Sequence, residues 1–405
     1  MADQPFLIDT IIKNNNFILR YSGTNIRLGE KTKKHKIYSW SMYIFNFIML
    51  NIDTAGAMVY VISGIAQRKK LIEISYALPC VTICWLGNTK VVPVLANENS
   101  IDLLINNIRK FEIDQKNRPR DLEVDTIIKE EDDYLNKTIR ILYIFCIVLL
   151  ATFPLLPLML MLLKYLETNE VELILPFLVV YPFDAFDMRY YPYVYLRQIW
   201  SECIALLNMA GADYLLYTCC TYVRVQFKLL QYEFERIIPA FSSIHEFRED
   251  EVHRNFVDLV KWHQDIIRTS NILEIIYSKS TLFNFLSSSV VICLTGFNVT
   301  MVDDIVTIIT FLIFLFMGLM QVFFLCFFAD MMTSASEEVS IAVYNSRWYL
   351  ARNPIRRQFL MMQTRAQAPC RLTAAGFTDV NLRAFMRVLS TAWSYFALLQ
   401  TVYEG

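Results

Sequence analysis

Histidine is scarce in this chain, with four in 405 residues, and charged side chains make up only 19% of it. His245, His253 and His263 have neither metal-ligand spacing nor cysteine partners, so no metal site is expected and they read as surface residues of a cytoplasmic helix. No HExxH, GxSxG, P-loop or dinucleotide-binding pattern occurs, so neither an enzyme nor a cofactor is expected. The opening MADQPFLIDTIIKNNN lacks the basic and long apolar regions of a signal peptide, which leaves the first membrane span to direct insertion. The nine cysteines fall almost wholly in apolar segments and none in a segment assigned to the cell exterior, which argues against a disulfide framework. No internal repeat or low-complexity tract is visible. A net charge of -1 gives no reason to expect a nucleic-acid partner.

What the chain has instead is apolar sequence: 55% hydrophobic residues and a mean hydropathy of +0.36. That composition fits an all-α membrane protein. Spans are expected at about 37–66, 71–89, 139–163, 190–223, 280–302 and 305–329, with the terminal stretch as the seventh. The fourth is the least obvious, because Arg197, Glu202 and Asp213 interrupt it. The segment 171–183 (VELILPFLVVYPF) is apolar, too short to cross and divided by two prolines, so it reads as a loop folded onto the outer mouth of the bundle. Three long charged connections, 91–136, 224–279 and 330–375, carry heptad-like apolar positions such as Phe227, Leu230, Phe234 and Ile237, as helices running out of the membrane would.

Charge sets the orientation. With the N-terminus inside, the segments 1–39, 90–135, 221–270 and 333–380 hold 27 Lys and Arg residues, against 5 in the segments placed outside. Such an imbalance predicts a cytoplasmic N-terminus and an extracellular C-terminus, the inverse of G-protein-coupled receptors.

The last thirty residues are the most distinctive. From Val388 to Tyr403 they carry no charge, yet Ser390, Thr391, Ser394, Gln400 and Thr401 are interleaved with large apolar residues. A helix facing only lipid has little use for these small polar groups, whereas one lining a water-filled path does.

The C-terminal part resembles the insect odorant receptor family of ligand-gated cation channels. The resemblance is carried by Glu337 to Tyr349 (EEVSIAVYNSRWY) with Ala342, Tyr344 and Trp348, by Arg356 to Met362, Pro369 and Ala375 to Phe377, and by Ser394 to Phe396 with Leu399. It implies a tetrameric channel whose last helices line one central pore above a cytoplasmic anchor. It also implies a ligand-tuning subunit beside a shared co-receptor, in the plasma membrane of sensory neurons, gated by a small volatile organic ligand. The expected division is a cytoplasmic segment 1–36, six spans with their loops over 37–329, an anchor region 330–375 and a pore-lining seventh helix over 376–405. A gustatory receptor channel of the same superfamily and a non-conducting seven-helix receptor or transporter are the alternatives.

Within that scheme the candidate gate is Leu398 and Val402, four apart, with Thr401 between them. Plain packing is the other reading of such a pair. The candidate ligand pocket draws on the outer halves of four spans. It comprises Ile72, Ser75, Tyr76 and Cys80; Thr152, Phe153 and Leu156; Tyr195 and Ile199; and Thr307, Thr310, Phe311 and Phe314. Asp53, mid-span, is either functional or hydrogen-bonded to another helix, while Lys90 and Asp213 snorkel or pair near the cytoplasmic side. The acidic group Glu130 to Asp133 reads as favouring the start of the helix into span three. Carboxylates outnumber basic residues in the outer segments, which would concentrate cations there. Asn298, Val299 and Thr300 form a glycosylation sequon in an expected outer loop.

Overall fold

The computed structural model describes residues 33–118, 121–238 and 249–404. Residues 1–32 of the expected cytoplasmic segment, and His245, lie outside the described residues. The chain forms α1 (Lys33–Ala66), a short α2 (Leu71–Ser75), α3 (Leu78–Ala96), α4 (Glu98–Lys116), α5 (Leu122–Thr168), α6 (Tyr191–Arg236), α7 (Glu249–Met301) and α8 (Ile305–Asn345). A 3₁₀ turn (Trp348–Leu350), α9 (Asn353–Ala366) and α10 (Leu382–Glu404) complete it. Six stretches are long and apolar enough to cross a membrane and correspond to the first six expected spans. The terminal helix α10, with 23 residues, reaches about 35 Å.

At 53 residues α7 is about 80 Å long, more than twice the hydrocarbon thickness, and α5, α6 and α8 also exceed it. The charged connections are therefore mostly helix, as their heptad pattern predicts. The division expected at residue 330 falls inside the unbroken α8.

The fold's axis is α6, packed against α1, α3, α5, α7 and α8. Among the six expected spans it carries the most charges, and it is also the most enclosed, because a helix surrounded by protein meets polar partners where an outer helix meets lipid. Below it, Phe234, Phe256 and Phe359 join α6, α7 and α9 in one aromatic cluster, with centroids 6.2 and 4.7 Å apart.

Four sequence expectations change. Span two is broken between α2 and α3, because Pro79 has no N–H to give the carbonyl of Ser75 and its ring excludes a continuous turn. That freed carbonyl accepts instead from Asn298 Nδ2 at 3.1 Å, and Asn298 Oδ1 accepts from the Ser75 hydroxyl. The sequon asparagine is thus fully buried within α7 rather than in a loop. Glycosidase treatment is expected to leave the chain's electrophoretic mobility unchanged, while Asn298→Ala should lower stability by about 1–3 kcal/mol, read by thermal melting in detergent.

The helix into span three starts at Leu122, so Glu130 to Asp133 lie in its third turn and not at its start. Asp121 is the cap: its carboxylate accepts from the Glu123 amide and then from Arg236, which together hold it below the ordinary carboxylate range. A depressed folded value means this contribution is present at neutral pH and lost as pH falls through that value. Glu131 instead ties α5 to α6, accepting from Arg224 at 2.7 Å and Lys228 at 2.6 Å. His263, expected on the surface, is 3% exposed and packs edge-to-face on Phe227; the heptad that buries Phe227 buries what faces it. His253 is exposed, beside Gln358.

Candidate ligand cavity and terminal helix

Between α1, α3, α5, α6 and α8 lies a partly open cavity, with the 177–179 strip as one wall. The strip is apolar, yet its backbone must find partners inside the bundle. It does so on Gln198, which accepts from the Phe177 amide (3.0 Å) and donates to the Phe177 carbonyl and the Tyr181 hydroxyl. The Val180 amide reaches the Gly56 carbonyl of α1 at 3.2 Å. Gly56 permits this approach, since a Cβ there would stand 2.6 Å from the Val180 carbonyl oxygen. The segment expected to fold onto the bundle is thus built into it.

Asp53 closes this arrangement. It accepts from Tyr181 at 2.9 Å and Ser201 at 2.5 Å and is paired with Arg197, whose guanidinium lies 4.9 Å from the Tyr181 ring centroid. The mid-span aspartate is therefore the hydrogen-bonded one, and an arginine that interrupts span four neutralises it.

Inside, the cavity is mainly apolar and aromatic. Phe153 stands 4.6 Å from Phe314 and 6.1 Å from Phe177, centroid to centroid. Of the expected pocket residues, Cys80, Phe153 and Phe314 line it. Tyr76 and Phe311 stack 5.5 Å apart beside it within the same apolar cluster. The others point elsewhere: Ser75 is bonded to Asn298, the Tyr195 hydroxyl to the Pro154 carbonyl, and Thr152 and Thr310 to their own helices. Thr307 bonds through its amide and hydroxyl to Asp304, the cap of α8, and holds that carboxylate below its ordinary range. Ile72, Leu156 and Ile199 are half-buried away from the cavity. Sequence reasoning missed Phe177, Asp53 and Glu202 as lining residues. The signals were there, in an apolar segment too short to span and in acids placed within spans.

At the C-terminal end, Thr373 to Gly376 dock on α7. The Thr373 amide reaches Glu274 at 2.7 Å, the Ala375 amide reaches Ser278, and Gly376 turns the chain at φ 77°. The motif residue Arg356 donates to the carbonyls of Ala351 and Tyr349, pinning the 3₁₀ turn. From this base α10 rises against α7 and α8 with Ala384, Val388 and Ala392 buried and Phe396 and Leu399 on the core. Leu398 (60% exposed) and Val402 (65%) face away from the chain, beside the exposed Thr401, whose hydroxyl donates to its own helix at Ala397. Among the described residues, no group of His, Cys, Asp and Glu is arranged to hold a metal.

Residues 70–393 match the family described as 7tm Odorant receptor. The chain belongs to that family. Among Drosophila melanogaster odorant receptors, 85b is 27% identical over 387 residues, covering 93% of this chain and 94% of the relative. Odorant receptor 67c is 24% identical over 394 residues, covering 95% and 94%. The structure of the insect olfactory receptor OR5 from Machilis hrabei in complex with eugenol superposes with a TM-score of 0.79 at 18% identity, over 97% of this chain and 98% of that one. The odorant receptor family consists of multi-pass membrane receptors and not enzymes, and the all-α fold read from the sequence is the fold found.

Proposed function

We propose that this odorant receptor is the odorant-binding subunit of a heteromeric, ligand-gated, non-selective cation channel, assembled with a co-receptor in the plasma membrane of sensory neurons. In this reading a small volatile organic ligand enters the cavity and stacks on Phe153, Phe177 and Phe314. An aromatic volatile, eugenol, occupies the Machilis hrabei relative. The N-terminus is cytoplasmic, residues 330–375 belong to the anchor, and α10 lines the pore.

The observation that carries the reading is the two-sidedness of α10. One face is packed on α7 and α8, while Leu398, Thr401 and Val402 are exposed on the other. Large apolar residues displayed this way on a helix end suit a ring of subunits around a dewetting constriction. Currents recorded from cells expressing the chain with and without a co-receptor test it, and silence across a broad volatile panel in both overturns it. Leu398→Ser or Val402→Ser is expected to raise basal current or change ion permeability in whole-cell recordings; unchanged conduction removes both residues from the pore.

A further inference from the structure

Few polar side chains line the cavity, and those of α1 are already engaged. Asp53 is bonded by Tyr181 and Ser201 and paired with Arg197, and the Thr54 hydroxyl donates to the Leu50 carbonyl. Ser201 gives its hydrogen to Asp53. Glu202, the next residue along α6, is different. It lines the cavity, is only 7% exposed, and among the described residues both of its carboxyl oxygens are buried without a hydrogen-bond partner. A buried carboxyl group in this condition is costly to the fold in either protonation state, so its presence calls for an explanation. Arg197 does not supply one, since it is committed to Asp53.

Resting on the reading of this cavity as the odorant site, we infer that Glu202 is its hydrogen-bonding handle and that it selects small primary or secondary amines with an apolar body. Two bare oxygens need donors. A protonated carboxyl could meet its one O–H on an ester or ketone, but the carboxylate needs donors: esters, ketones and ethers bring none and an alcohol brings one, whereas an ammonium brings two or three together with the charge that pairs a carboxylate. The pair assembles without any co-reactant. Either the carboxyl O–H passes its proton to the lone pair of the amine nitrogen, or an ammonium meets a carboxylate, and the atoms are the same. The apolar remainder of the ligand rests on Phe153 and Phe314, which face the same space.

The test uses isosteric sets: phenethylamine, phenethyl alcohol and propylbenzene, and hexylamine, hexanol and heptane. Cells co-express a co-receptor with the full chain or its Glu202→Gln variant. Glutamine keeps the size, and because none of the described residues hydrogen-bonds the Glu202 carboxyl, the variant should reach the surface normally, which surface biotinylation checks. The amines should act at concentrations at least about tenfold below the alcohols, and Glu202→Gln should remove at least about tenfold of amine potency while moving the alcohols little. Equal potency of amines and alcohols on the unaltered chain, or equal shifts of all three compounds in the variant, overturns the inference. Thermal stabilisation of the detergent-solubilised chain by the same compounds reads occupancy without conduction. Amine-selective, Glu202-dependent stabilisation with no current would keep this inference and overturn the channel reading. Stabilisation without amine selectivity, or none, would overturn the inference whether or not currents are seen.

Discussion

Replacing Lys90 by Met is expected to be among the most damaging single changes in the chain, and replacing Asp213 by Leu at the same time is expected to reverse most of the damage. The Lys90 ammonium lies 2.6 and 2.5 Å from the two carboxylate oxygens of Asp213, joining α3 to α6, with side-chain exposures of 3% and 11%. Two opposed effects meet here. Desolvating each ion costs several kcal/mol, and their attraction in a poorly polarisable interior offsets that only while both are present. Removing the lysine alone leaves an uncompensated carboxylate facing a second, partly open cavity between α5, α6 and α8. The expected loss is about 3–5 kcal/mol, enough to unfold a marginal membrane protein. The double apolar replacement removes both the cost and the attraction together, so it should come close to the unaltered chain. Melting temperatures of the three proteins in detergent decide it; a double variant as unstable as Lys90→Met alone would mean that the pair contributes through more than its charges.

That pair also marks how far the sequence could be read. Both residues stand out as charges within apolar spans, and their expected alternatives included pairing. Which residue each would meet depends on how α3 and α6 cross, and 123 positions separate them. Spans, the extended helices and the non-spanning character of segment 171–183 were legible because each rests on local composition, proline position or periodicity. The break of span two was encoded in Pro79, but only the three-dimensional meeting with Asn298 shows where the freed Ser75 carbonyl goes. Cavity-lining residues coincide with the expected set where a large ring is turned into the bundle, as with Phe153 and Phe314. They were not where a threonine could as well bond its own helix, as Thr152 and Thr310 do. Glu202 was visible only as an interruption of hydropathy, because an unmet hydrogen bond is a property of its surroundings.

Gly56→Ala should uncouple ligand potency from folding. A Cβ at this position would lie 2.5 Å from a Val179 methyl carbon and 2.6 Å from the Val180 carbonyl oxygen. The second contact is the decisive one, because a backbone atom held by the neighbouring Val180–Gly56 and Tyr181–Asp53 bonds cannot rotate aside as a side chain can. The strip must therefore move away from α1, carrying Phe177 and Val179 with it, and these form one wall of the cavity. Overpacking of this kind costs about 1–3 kcal/mol, and if that appears as lost ligand affinity, half-maximal concentrations rise by roughly fivefold to more than a hundredfold. Gly64→Ala on the same helix is the control. Its added carbon would meet Ile74 at 3.0 Å, a side-chain contact that can yield by a rotamer change, so potency should stay within about threefold. Concentration–response curves for both variants, taken alongside surface labelling, separate the cases. An unshifted curve for Gly56→Ala at normal surface level would mean that the 177–179 strip is not a wall of the ligand site, and the cavity's functional boundary would then have to be drawn within the helices alone.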